Sequence, residues 1–90
     1  MSIAIKKISE DKFEVTVSST TTTKHIVTLS NELHYKLTKG KVTKKELLDF
    51  SFKFLLEREP NQSILPSFEL RVISQYFTEF ENVVLANYNA

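Results

Sequence analysis

The sequence predicts an α+β fold, a three-stranded antiparallel sheet in the N-terminal half packed against three helices, or four, in the C-terminal half. Apolar residues recur with a period of two up to Leu29 and with a period near 3.6 from Ser30 onward. Eight of the ten aromatic residues lie between Phe50 and Tyr88, so the helical half is expected to supply most of the core. A chain of 90 residues buries only about 60 to 70% of its unfolded surface, which allows one core and one domain spanning residues 1–90.

Ile3 and Ile5 begin the first strand, and Ser9 to Lys12 supply its turn. Phe13, Val15 and Val17 alternate with Glu14, Thr16 and Ser18, the pattern of a half-buried second strand. The run Ser18 to Thr23 favours extended backbone and reads as a hairpin tip. The third strand follows in Ile26-Val27-Thr28-Leu29, with His25 alternating with Val27 and Leu29 as a partly buried strand residue.

Ser30 is placed to cap a short helix carrying Leu33 and Leu37 one turn apart, and Gly40 can adopt the left-handed conformation that ends it. Thr43-Lys44-Lys45-Glu46 is a capping box, in which hydroxyl and carboxylate reciprocally satisfy backbone amides at the start of the next helix. That helix, expected over residues 44–59, carries apolar side chains over about 240° of its circumference. One sheet face would not cover such an arc, so the helix is expected to pack on the sheet on one side and on another helix or a second subunit on the other. Leu48, Phe52, Leu55 and Leu56 are the candidate self-association residues of an expected homodimer. Pro60 stops the helix, and residues 61–66 form a loop. Ser67 can cap a third helix whose apolar face is Phe68, Val72, Ile73, Tyr76, Phe77 and Phe80, continuing through Val83, Val84 and Tyr88 if there is a fourth.

Composition removes several classes of chemistry. With no cysteine there is no disulfide framework, thiolate metal site or thiol nucleophile, and a single glycine rules out glycine-rich phosphate loops. No basic segment precedes a long apolar run, and no apolar stretch reaches the ~18 to 20 residues of a membrane span, so a cytoplasmic protein without membrane contact is expected. His25 and His34 stand outside any zinc-ligand spacing, and the acid pairs Glu57/Glu59 and Glu79/Glu81 sit where solvated carboxylates are ordinary. No cofactor, metal or catalytic residue is expected.

Charge is more informative. Residues 1–45 hold nine Lys and four acids, +5, whereas residues 46–90 hold three basic residues and seven acids, −4. Such polarity can draw an acidic partner to one side or let identical copies meet. Lys36, Lys39, Lys41, Lys44 and Lys45 concentrate five positive charges within ten residues, a candidate phosphate or nucleic-acid contact.

The segment His25 to Leu33, followed by Gly40-Lys41-Val42-Thr43-Lys44-Lys45-Glu46-Leu47-Leu48, resembles a ribbon-helix-helix DNA-binding module over residues 24–58. That resemblance implies an intertwined dimer, as in repressors and antitoxins, with Lys24, Ile26 and Thr28 at the groove-reading positions. Lys24 and Thr28 therefore join the loop lysines as candidate nucleic-acid contacts. Phe54-Leu55-Leu56-Glu57-Arg58-Glu59-Pro60, with Ser63-Ile64-Leu65 and the segment from Phe68 to Glu81, also resembles small uncharacterised bacterial proteins, which implies a bacterial origin and a fixed helix-loop-helix and brings no activity or site with it. Lysine reads charge but poorly reads bases, and Ile26 is a poor reader of base edges, so a non-catalytic, self-associating protein-interaction module with an unknown protein partner ranks before a DNA-binding regulator.

Overall fold

The computed structural model describes residues 2–89. Four strands, β1 (Ser2–Lys7), β2 (Lys12–Ser18), β3 (Thr22–Thr28) and β4 (Ser67–Glu69), form one sheet in the order β1-β2-β3-β4. The first three make the expected antiparallel meander, with Ile5 opposite Val15 and Val15 opposite His25. The fourth is a correction: the sheet is four-stranded and mixed, because β4 runs parallel to β3 and pairs Val27 with Phe68.

Alternation then sorts the sheet into two faces. Phe13, Val15, Val17, His25 and Val27 are buried on the inner face, against which the helices pack. Ala4, Glu14, Thr16, Lys24, Ile26 and Thr28 lie on the outer face, which no element among the described residues covers.

Helix α1 (Asn31–Thr38) starts as expected, with the Leu33 amide donating to Ser30 Oγ at 3.2 Å. At its end two consecutive residues turn left-handed, Lys39 (φ 57°) and Gly40 (φ 73°). Helix α2 (Lys44–Leu56) opens on the full capping box: the Glu46 amide donates to Thr43 Oγ1 at 3.1 Å and the Thr43 amide donates to Glu46 Oε1 at 3.2 Å. Losing this pair exposes the first turn of the helix that spans the core, so Thr43→Ala is expected to cost about 0.5 to 2 kcal/mol. A shift of the urea midpoint measures it; an unchanged midpoint would contradict the cap.

Helix α2 ends three residues before the expected Glu59. The Arg58 guanidinium donates to the Phe54 carbonyl at 2.9 Å and lies 3.6 Å over the Phe54 ring, closing the helix before Pro60 can clash with it. Residues 61–63 then make a single 3-10 turn inside the expected loop.

The largest departure follows Pro66. In place of a helix capped by Ser67, the chain forms β4, a 3-10 turn over Leu70–Val72, a one-turn helix α3 (Ile73–Tyr76) and, after a break, α4 (Phe80–Tyr88). Proline biases the preceding residue toward extended backbone, and the Ile26 amide donates to the Pro66 carbonyl at 2.8 Å, which starts the parallel ladder. Phe68 therefore turns inward onto Phe52, with ring centroids 6.1 Å apart, while Tyr76, expected in the core, faces solvent.

Candidate interaction surfaces

The expected nucleic-acid residues do not converge. Lys24 and Thr28 stand on the outer face of the sheet, and the loop lysines belong to the helical layer on its other side. Lys44 is largely buried and anchors the β1–β2 turn, donating to Asp11 Oδ1 at 3.1 Å and the Glu10 carbonyl at 3.0 Å. Lys36 pairs with Glu81 at 3.3 Å, and Lys39 lies 5.8 Å from the Tyr35 ring centroid. Lys39, Lys41 and Lys45 are the members of the cluster that make no ion pair among the described residues. β2 pairs along the whole of β3, and β4 occupies its other edge over residues 26–28, so within the described chain these three residues have both edges filled.

The self-association residues are likewise relocated. Leu48, Phe52 and Leu55 lie in the chain's own core, and Leu56 is half-buried against it. Of the two occupants expected for the far side of the α2 arc, a helix of the same chain is the one found: the sheet takes one side of the arc, and Phe80 and Val84 of α4 lie on the other. Phe54, for example, meets Phe80 edge-on with centroids 5.1 Å apart.

Both histidines have structural partners. The His25 ring is buried; its Nδ1–H donates to the Leu65 carbonyl at 2.7 Å, because a carbonyl only accepts, and its Nε2 is hydrogen-bonded to the Thr23 hydroxyl at 2.8 Å. Asn61 Nδ2 donates in turn to Thr23 Oγ1 and to the Thr21 carbonyl, each at 3.0 Å. The chain of bonds ties the 61–65 segment to the β2–β3 hairpin. His34 Nε2–H donates to the Val42 carbonyl at 2.6 Å and braces the α1–α2 loop. Among the described residues no three metal-ligating side chains come together.

A different surface lies at the opposite end of the sheet from β4. The outer edge of β1 pairs with no strand among the described residues, and beside it Ile3, Ile5, Phe50 and Tyr88 form a half-buried apolar shelf. Phe50 and Tyr88 stack edge-on with centroids 5.5 Å apart. Lys45, Glu46 and Asp49 border the shelf, so both signs of charge lie on one patch. Burial first, and the Glu46 carboxylate second, hold the Tyr88 phenol above its usual value near 10. The Asp49 carboxylate at 2.9 Å, through its hydrogen bond and then its charge, raises the Lys53 ammonium.

No family model matches the chain, and no curated protein or solved structure stands out as similar to it. Function is therefore argued from these surfaces. No helix among the described residues is long and apolar enough to cross a membrane.

Sequence reasoning missed Asn61 and the β1 edge. Asn61 sat in a segment read as loop, where its burial has no local signature. The edge status of β1 depends on strand order, although its alternating Ile3 and Ile5 were visible.

Proposed function

We propose that the protein is a non-catalytic interaction module that associates with a second copy of itself through β1. The observation that carries this reading is the coincidence of an unpaired strand edge with the apolar shelf of Ile3, Ile5, Phe50 and Tyr88. An uncovered edge is a template for another strand, and natural sheets usually blunt it. Here Lys6 and Lys7 guard only one end of β1.

A two-fold interface must be self-complementary. An antiparallel β1 pair centred on Ala4 places Ile3 against Ile5 of the other copy and Lys6 against Ser2, which keeps the lysines apart. The bordering Lys45, Glu46 and Asp49 supply both signs, as a patch meeting its own copy requires. The structural use of both imidazoles supports a role outside catalysis.

The exposed side chain of Ala4 gives the test. Ala4→Lys and Ala4→Glu each put like charges directly opposite one another across the dyad, which is destabilising, while the mixture places opposite charges there. Light scattering on size exclusion is expected to give twice the 10.4 kDa chain mass for the wild-type protein, the single-chain mass for either variant alone, and recovery of the dimer on mixing. A single-chain mass for the wild type at every concentration, or dimers unaffected by both substitutions, would sink the proposal.

A further inference from the structure

At the β4 end of the sheet, away from the β1 edge, the 61–65 segment, β4 and α3 enclose an open groove of about 260 Å³. Its floor is apolar, formed by Leu55, Ile64, Phe68, Ile73 and Phe77. Two of the four large exposed apolar residues among the described residues, Leu65 at 42% and Tyr76 at 68% exposure, stand in its wall. The volume falls below the roughly 300 to 1,000 Å³ of sites that enclose a whole drug-sized ligand, and suits one anchoring side chain.

Electrostatics selects what carries that anchor. Glu59 lines the groove, half-buried, and its carboxylate makes no ion pair or hydrogen bond among the described residues. The neighbouring Arg58 does not neutralise it, because its guanidinium lies over Phe54 and faces Glu79 at 3.5 Å. Among the described residues lining the groove Glu59 is the only charged one, so the charge the groove itself presents is negative. An apolar pocket with an unmatched carboxylate and an exposed phenol ring at its mouth is complementary to an apolar side chain flanked by a cation.

We infer that this groove docks a partner polypeptide segment in which a branched or aromatic apolar residue is followed by lysine or arginine. The apolar side chain enters between Ile64 and Phe77, and the cation meets Glu59 and the Tyr76 ring. Buried apolar area supplies most of the affinity, and the carboxylate supplies direction and selectivity.

The probe is a blocked, labelled heptapeptide, Ser-Gly-Leu-Lys-Gly-Gly-Ser, followed by anisotropy and by amide shifts of the 15N-labelled protein. Shifts are expected at Leu65, Tyr76 and Phe77. Replacing the peptide's leucine by alanine is expected to weaken binding about tenfold or more, from the lost apolar burial. Glu59→Gln is expected to weaken it about two- to fivefold, the range of an exposed ion pair, and Glu14→Gln on the outer sheet face to leave it unchanged. Raised salt on the wild-type protein gives the same electrostatic readout without a substitution. Equal binding of the alanine peptide, no effect of either Glu59→Gln or salt, or shifts confined to other surfaces would overturn the inference. So would groove amides that move with protein concentration alone, which would make a second copy the occupant. Ala4→Lys does not touch this groove, so peptide binding by that variant separates failure here from failure of the β1 dimer.

Discussion

Phe52→Ala is expected to remove about 3 to 5 kcal/mol of stability, a large part of the ~5 to 15 kcal/mol that holds a small domain together. The ring is fully buried on α2 and packs on the β3–β4 half of the sheet, with centroids 5.5 Å from His25 on β3 and 6.1 Å from Phe68 on β4. Truncation removes apolar burial and leaves a cavity that strands on one side and a helix on the other cannot both collapse to fill. Leu48 and Leu55 remain in place beside it, so the change is confined to one side chain. Urea unfolding of both proteins gives the difference, and a loss below about 1 kcal/mol, typical of a surface or partly exposed site, would show that the ring is not central.

His25→Phe is expected to cost about 1 to 3 kcal/mol even though it preserves an aromatic ring, because it removes the partner of the Leu65 carbonyl and of the Thr23 hydroxyl from two partly buried hydrogen bonds. No buried side-chain polar atom among the described residues lacks a partner at present, so the penalty falls on a fully satisfied network. Thr23 lies between His25 and Asn61, which makes the three residues one unit. The combined change His25→Phe with Thr23→Val should therefore cost less than the sum of the separate changes, by about 0.5 to 3 kcal/mol of coupling. Thermal and urea unfolding of the four proteins completes the cycle. Additive losses would mean that the bonds at 2.7 and 2.8 Å do not act together.

The candidate surfaces were legible to different degrees. The lysine cluster was plain in the sequence, yet nothing local told that Lys44 would be consumed in holding Asp11, a residue 33 positions earlier. The width of the apolar arc on α2 was equally plain. Which element covers an arc is a question about distant chain, and here α4 arrives from residues 80–88 to cover it. The groove beside Glu59 exists only because β4 breaks the helical pattern, so no reading of periodicity could have located it.

The sequence by itself determined the features whose physics is local. Two-residue alternation made the meander, Ser30 and Thr43 capped their helices through hydroxyls acting three residues away, Gly40 took a left-handed turn, and Pro60 bounded α2. Each of these rests on backbone sterics or hydrogen bonds within about one turn of helix or one hairpin. Tertiary structure decided the rest. Phe68, Ile73 and Phe80 satisfy a helical spacing, but the exposed edge of β3 offered hydrogen bonds some forty residues away, and pairing with it turned Ser67–Glu69 into a strand and divided the expected helix in two. Asn61, His25 and Lys44 acquired their roles in the same way, since a buried polar group is worth keeping only where folding brings it a partner.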